Sequence, residues 1–246
     1  MVAVFDIGNT NTHIGLYTDH RLLREFVYRS GKKLPLVRIN KIIAGDDLEG
    51  VAVASVVPRL TKQLVSVCHR YKIKPILVSS KSKCGLNYRY RNPASLGSDR
   101  IAAVVGALSR YKKDVIVVDA GTAITIDVAR RGGDYLGGII CAGMHILSEL
   151  VHRRTAQLPK IRVTRPRNLI GTSTEECIRS GIFNGTMAMV RGLIQDIKEK
   201  TTGDFYCVAT GGSGKILTRY VDEIEEYDAD LCMYGALNIY YRNVCP

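Results

Sequence analysis

The feature that most constrains this chain is a repeat. Val2-Ala3-Val4-Phe5-Asp6-Ile7-Gly8-Asn9-Thr10-Asn11-Thr12 opens as an apolar run, reaches an acidic residue and closes on Gly, Asn and Thr. The pattern returns at Val115-Ile116-Val117-Val118-Asp119-Ala120-Gly121-Thr122-Ala123-Ile124-Thr125. Placing Asp119 on Asp6 also places Gly121 on Gly8 and Thr125 on Thr12. A short apolar run bounded by turn residues reads as a buried strand. Two strand-Asp-hairpin units nearly half a chain apart imply two related half-domains, 1–113 and 114–246. Facing each other across a cleft, two such turns would hold a metal-bound polyphosphate.

The rest of the pattern fits mixed sheets with covering helices. His13 to Tyr17 and Leu22 to Tyr28 read as the next two antiparallel strands, and a helix is expected over Leu34 to Ala44, interrupted near Pro35. Val51 to Val57, the helix-spaced Leu60, Leu64, Val67 and Cys68, and Ile76 to Val78 read as β-α-β. Lys81 to Pro93 lacks periodicity and reads as a loop; Ser98 reads as the N-cap of a helix over Asp99 to Tyr111. The second half repeats strand, hairpin and third strand. Helices are expected over Met144 to Arg154 and Thr172 to Lys200, the latter with Ile178, Ile182, Met189, Leu193 and Ile197 inward. Gly181, Gly185 and Gly192 in that helix each cost about 1 kcal/mol relative to Ala, so close packing is expected there, at a subunit contact for instance.

Composition excludes some classes. No apolar stretch approaches the roughly 18 residues of a membrane span, and the chain opens directly on a strand-like run with no leader pattern, so the expectation is a cytoplasmic protein. The seven Cys are scattered and never CxxC, which speaks against zinc or redox chemistry. The net charge of +12 includes nine Lys/Arg and no acid from Arg59 to Arg91. Nucleic acid or anionic small substrates would explain it, as would a solvated basic surface. The acidic run from Asp222 to Asp230 interrupts any single basic surface.

Three constellations carry candidate chemistry. In the paired turns, Gly permits close backbone approach to a phosphate, Thr hydroxyls and amides donate, and a carboxylate at the strand end suits Mg²⁺. Asp127, on the returning strand, adds a third carboxylate. Thr210-Gly211-Gly212-Ser213-Gly214 follows a strand and precedes a helix, a seat for an adenosine group or its phosphates, without the Lys-Ser/Thr of a P-loop. In Tyr90-Arg91-Asn92-Pro93-Ala94-Ser95-Leu96-Gly97-Ser98-Asp99-Arg100, Asp99 falls in a first helical turn, placed to take a proton from an attacking alcohol. Arg100 beside it is suited to a carboxylate.

Together these segments resemble the type III pantothenate kinase family, of the acetate/sugar kinase, actin and heat-shock ATPase superfamily. The resemblance runs in order through Asp6 to Thr10, Ser55 to Pro58, Tyr90 to Pro93, Gly97 to Arg100, Asp119 to Ala123 with Thr125 and Asp127, Gly137-Gly138, Thr155 to Pro159, Gly171 to Thr174, Ser180-Gly181 and Thr210 to Gly212. It implies an α/β fold of duplicated ribonuclease H-like (actin-like ATPase) half-domains, mixed sheets flanked by helices, with an active-site cleft between them. It implies ATP-dependent phosphorylation of pantothenate to 4'-phosphopantothenate, the first step of coenzyme A biosynthesis, with Asp99 as general base. Tyr90, Gly97, Ser98, Asp99, Arg100 and Thr174 would hold pantothenate. Asp6, Ile7, Gly8, Asn9, Thr10, Asn11, Thr12, His13 and Thr122 would bind ATP. Asp119 would hold a monovalent cation, K⁺ or NH₄⁺, and Mg²⁺ or another divalent ion would lie near Asp6, with Asp127 a further candidate ligand. A homodimer is implied, with Thr174 reaching the neighbouring subunit's substrate. The chain departs from the family pattern at Ala142-Gly143, where Pro-Gly is usual, and at the variable position His13.

Two rivals stand beside this reading. A ribonuclease H-like nuclease would use Asp6, Asp119 and Asp127 as a two-metal site, but the duplicated Gly/Thr turns favour a nucleotide. A catalytically silent regulatory relative is disfavoured because every candidate reacting residue is present.

Overall fold

The structure, a computed structural model, describes residues 1–31, 33–45 and 47–244. By internal packing the chain forms two compact units. One comprises Met1–Lys113, Val128–Gly137 and the segment from Asp230 on; the other comprises Asp114–Asp127 and Gly138–Ala229.

The first unit is built on β1 (Val2–Ile7), β2 (Asn11–Thr18), β3 (Arg21–Arg29), β4 (Gly50–Ser55) and β5 (Ile76–Leu77), in the sheet order β3-β2-β1-β4-β5. β1 pairs antiparallel with β2, setting Asp6 opposite His13, and parallel with β4, setting Asp6 beside Ala54. Side chains alternate across a strand. Ala3, Phe5 and Ile7 enter a core with Ile39 and Ile43 of α1 (Leu36–Ile43) and Leu60, Leu64 and Val67 of α2 (Pro58–Arg70). Val2, Val4 and Asp6 therefore take the opposite face. α1 begins just after Pro35, as a ring-fixed φ and a missing N–H favour at a helix start.

Covering that second face are α3 (Ser98–Tyr111) and α7 (Leu231–Val244). The two approach so closely that a Cβ on Gly235 would overlap the Ala102 carbonyl oxygen, and one on Gly106 that of Leu231. Only glycine at both positions lets the helices meet backbone to backbone. The C-terminal helix thus belongs to the unit that contains the first strand.

Within the expected loop lies β6 (Asn87–Tyr88), paired parallel with Asp134 and Tyr135 of β9 (Asp134–Ala142). A two-residue pairing has no periodicity for a sequence to display. β7 (Asp114–Ala120) and β8 (Ala123–Ala129) form the second hairpin. With β10 (Phe205–Thr210) and β11 (Glu226–Tyr227) the second sheet runs β11-β10-β7-β8-β9-β6.

The second unit adds α4 (Met144–Arg154), α5 (Thr174–Lys200) and α6 (Gly214–Tyr220). α5 starts two residues later than expected because Ser173 caps it, while the Glu176 carboxylate reaches back past the cap to Thr172. The Ser173 hydroxyl accepts from Glu176 N at 3.4 Å, while Thr172 N and Oγ1 donate to Glu176 Oε2 at 2.8 and 2.9 Å. The buried face of α5 also differs from the expected one. It carries Ile182, Phe183, Met187, Val190 and Ile194, whereas Ile178, Met189, Leu193 and Ile197 are only half-buried. Apolar residues run nearly around this helix, so periodicity alone did not choose between faces. A Cβ on Gly181, Gly185 or Gly192 would meet nothing within 4 Å, so no packing inside the described chain accounts for these glycines.

Candidate active site

In the first unit, β1 delivers Asp6 to the mouth of a hairpin closed by Gly8 N donating to Asn11 O at 2.9 Å. Asn9, Thr10 and Asn11 are exposed at its tip. Ile7 and Thr12 are fully buried, and Thr12 Oγ1 lies 2.9 Å from Ser30 Oγ, so their backbone rather than their side chains can meet a ligand. His13 Nδ1 pairs with Glu25 Oε1 at 2.8 Å.

α3 brings Asp99 to the same carboxylate. Burial pushes the Asp6 carboxyl up to about 6; His13 opposes this, the neighbouring Asp99 charge adds to it, and a hydrogen bond from Cys232 pulls it back. The Asp99 Oδ1 accepts from Arg100 N at 2.8 Å and curls over Gly97, where a Cβ would overlap it. Gly97 is therefore needed for the Asp99 rotamer. Cys232, in the first turn of α7, places its thiol 3.8 Å from the Asp99 carbonyl oxygen. Sequence reading passed over Cys232; the signal available was a cysteine next to the helix–helix glycine Gly235.

Ser98 does not cap α3. Gly97 holds the N-cap position, and the Ser98 hydroxyl accepts from Ser55 N at 2.7 Å and donates to Ser55 O at 2.8 Å. These two bonds bolt the start of α3 to the end of β4, fixing Asp99 relative to β1. Arg100 is buried, and its Nη2 donates to the Tyr135 hydroxyl at 2.9 Å. Tyr135 is itself enclosed and meets the Tyr90 ring edge-on at 5.9 Å. Tyr90 and Arg100 are thus joined through Tyr135, a second residue the motif reading missed.

In the second unit, Asp119 ends β7 opposite Thr210 of β10. Gly211 has φ +80°, and a Cβ there would overlap Asp119 Oδ1 and stand 2.9 Å from the Ala120 carbonyl carbon. The hairpin turn is braced by Gly143 N donating to Thr122 O at 3.1 Å and by Ser213 N donating to Ala120 O at 2.8 Å. A Cβ on Gly143 would lie 2.5 Å from that Thr122 oxygen, so Gly143 is the residue of the Ala142-Gly143 pair that the turn requires. Asp127 is buried on β8, and Thr125 Oγ1 is enclosed without a hydrogen-bond partner among the described residues. Thr174 is exposed at the start of α5, on a cavity of about 770 Å³ whose walls include Val151, Leu158 and Ile178.

Comparison with known proteins shows the family. The family model described as type III pantothenate kinase matches residues 2–196. The chain belongs to the type III pantothenate kinase family. A type III pantothenate kinase of Halalkalibacterium halodurans is 33% identical over 254 residues, spanning 99% of this chain and 100% of that one. One from Listeria monocytogenes is 34% identical over 253 residues, spanning 99% and 98%. Among solved structures, a Campylobacter jejuni protein superposes with a TM-score of 0.64 at 24% identity, covering 98% of both chains. A ROK family glucokinase from Streptomyces griseus gives 0.51 at 16%, covering 97% and 98%. These structural likenesses carry the fold, duplicated ribonuclease H-like with two mixed sheets flanked by helices. As a family of kinases, type III pantothenate kinases use ATP and a divalent cation.

The residues fit such a cation. Among the described residues no group of three or more His, Cys, Asp or Glu side chains forms a ready-made metal cage. A hard cation that keeps its waters is held instead by one or two carboxylates and the nucleotide phosphates, and the crowded negative charge at Asp6 and Asp99 favours it there. Among the described residues no helix is long and apolar enough to cross a membrane.

Proposed function

We propose that this chain transfers the γ-phosphoryl group of ATP to the primary hydroxyl of pantothenate, giving 4'-phosphopantothenate and ADP. The observation that carries the reading is the convergence, within one unit, of Asp6, Asp99 and the Arg100–Tyr135–Tyr90 cluster. It pairs a phosphate-facing turn with a carboxylate at a helix start and a buried guanidinium.

The hydroxyl oxygen forms the new O–P bond, the bond from γ-phosphorus to the bridging oxygen breaks, and ADP leaves. Asp99 orients the hydroxyl and takes its proton late in the transfer, so positioning supplies most of the acceleration. Arg100, held by Tyr135, recognises the pantothenate carboxylate; Tyr90 and Gly97 shape the remaining wall. The Ser98 hydroxyl, bound at both ends to Ser55, serves by fixing α3. In the first unit the turn from Gly8 to Asn11, and in the second Thr122 and the Gly211–Ser213 turn, are each suited to ATP phosphates. Asp119 would hold K⁺ or NH₄⁺; Asp6, with Asp127 as a further candidate, would hold Mg²⁺. Bound, these cations neutralise charge on the transferring phosphoryl group.

The duplicated halves 1–113 and 114–246 are read as the evolutionary unit of the fold. A homodimer is favoured by the unfilled face of α5 at Gly181, Gly185 and Gly192 and by the exposed Leu169 and Ile170. Thr174 would then reach the neighbouring subunit's substrate. The expected site of action is the cytoplasm.

The test is ADP release with pantothenate, ATP and Mg²⁺, with and without K⁺. Turnover that needs pantothenate and rises with K⁺ supports the reading; none under saturating conditions overturns it. Light scattering of wild type and Gly185→Leu checks the dimer, which this substitution should dissociate.

A further inference from the structure

A small cavity of about 130 Å³ in the first unit is lined by none of the residues assigned to the reaction. Its walls come from the second half of α3, the Cys84–Leu86 segment, the turn before β9 and the end of α7. Arg131 and Arg242 line it and no acidic residue does. Ser109 also lines it, and its Oγ is enclosed with no hydrogen-bond partner among the described residues. A buried hydroxyl left without a partner costs on the order of 1–3 kcal/mol, so such a group calls for an occupant.

The surroundings hold the donors in place. Arg242 donates from Nη1 to the Cys84 carbonyl oxygen. Gly85, at φ +75°, lacks the Cβ that would overlap that same Nη1. Gly133, at φ +93°, lacks the Cβ that would overlap the Gly85 carbonyl oxygen. Two left-handed glycines therefore let one guanidinium lie flat against the Cys84–Gly85 backbone, with the Arg131 turn packed on it. Lys81 and Lys83 precede this segment and Lys112 and Lys113 follow α3, with Asp114 and Asp134 as the nearby acids in sequence. The space is large enough for several waters or one tetrahedral oxyanion. Two arginines and an unpaired hydroxyl lining a space without carboxylates are the donor types of a phosphate site.

We propose that this cavity binds a phosphate-sized oxyanion, either free phosphate or the terminal group of a small phosphate monoester. Bound there, the anion ties α3, α7 and the turn before β9 together and braces the helix that begins at Ser98.

The test is thermal unfolding of the full chain in sodium phosphate against sodium chloride of equal ionic strength. Wild type should gain about 2–4 °C near tenfold excess over the dissociation constant. The gain should vanish in Arg131→Gln and shrink in Ser109→Ala, with ATP- and pantothenate-dependent turnover in phosphate-free buffer unchanged in both. Ser109→Ala alone should not lower the midpoint in chloride, which separates loss of the site from loss of folding. Glycerol phosphate matching the inorganic ion would assign a monoester, and a smaller gain would assign the free ion. A phosphate gain equal in wild type and Arg131→Gln would put the anion at the nucleotide turns, and no gain over chloride would leave the cavity to water; either result overturns the proposal.

Discussion

Around Asp6 the support is made of side chains: His13 across the hairpin, Asp99 and Cys232 from two packed helices, and Ser30 beneath Thr12. Around Asp119 it is made of backbone, with Gly143 and Ser213 bonded to the turn and Gly211 pressed against the carboxylate. One written motif has therefore been fitted to two tasks. The side-chain shell of the first tunes a carboxylate and presents a second one beside it. The glycine shell of the second leaves Asp119 little room to move, which suits a fixed ligand. The difference teaches that duplication preserves the strand and turn while the surrounding helices decide the chemistry.

The largest effect should follow from breaking the first shell at Asp99. Asp99→Asn keeps the shape over Gly97 but removes the proposed proton acceptor, and turnover should fall by about 10²–10⁴-fold with little change in ATP KM. Survival of more than a tenth of the ADP release rate would sink the base assignment while leaving the kinase.

Glycine substitutions next separate the two turns. Gly211→Ala meets a positive φ, Asp119 Oδ1 and Ala120 backbone together, and should cost about 1–3 kcal/mol of stability and raise ATP KM severalfold or more. Gly121→Ala, whose Cβ would lie 3.8 Å from its nearest neighbours, should fold almost normally. Equal damage from both in urea melts and ATP titrations would mean that the second turn is not held from outside.

The hairpins, the longer strands and the Asp99–Arg100 helix start were legible because each has a local signature: an apolar run, a turn residue, an acid in a first turn. What escaped depended on contacts distant in sequence. Cys232 lies more than a hundred residues from Asp99, and only the glycine contact of Gly235 with Ala102 brings α7 there. Tyr135 sits in an ordinary strand pattern, with no local sign that its hydroxyl would receive Arg100. Ser98 looked like a cap because Ser before a helix usually is one, yet Ser55 claims its hydroxyl. The face of α5 was missed because three glycines and a nearly continuous apolar circumference give periodicity no contrast.

The tuned carboxylate gives a pH signature. In the folded chain Asp6 holds its proton up to about 6 against an ordinary 3.8, so folding favours the protonated form. Its contribution is fully present below the ordinary value and is lost as pH rises through about 6. Asp6→Asn should thus gain on the order of 2 kcal/mol over wild type at pH 7.5, with the gain disappearing toward pH 4. Denaturant titrations across that range are the check, and a pH-independent difference would count against the shift. The same substitution should slow turnover, though less than Asp99→Asn does, so stability and activity move in opposite directions.

Cys232 should matter less. Cys232→Ala removes the thiol beside Asp6 and Asp99 and should lower kcat by about threefold to tenfold with KM for ATP nearly unchanged. Cys232→Ser, which restores a donor of similar size, should recover most of the loss. Equal loss in both would mark the position as one of packing only.

The smallest effect is the sharpest test of the comparison, because it uses one substitution at matching places. Thr12 Oγ1 has Ser30 at 2.9 Å, whereas Thr125 Oγ1 is enclosed with no partner among the described residues. Valine keeps the shape of threonine and deletes only the hydroxyl. Thr12→Val breaks a satisfied bond and strands Ser30, so it should cost about 1 kcal/mol. Thr125→Val exchanges an unsatisfied group for an apolar one, so without nucleotide it should be neutral or stabilising by up to about 1 kcal/mol. If ATP then binds Thr125→Val more weakly, the unpaired hydroxyl is held ready for the ligand; if binding is unchanged, it is residue of the duplication with no task of its own. Equal destabilisation at both positions would show that the two turns are supported alike after all.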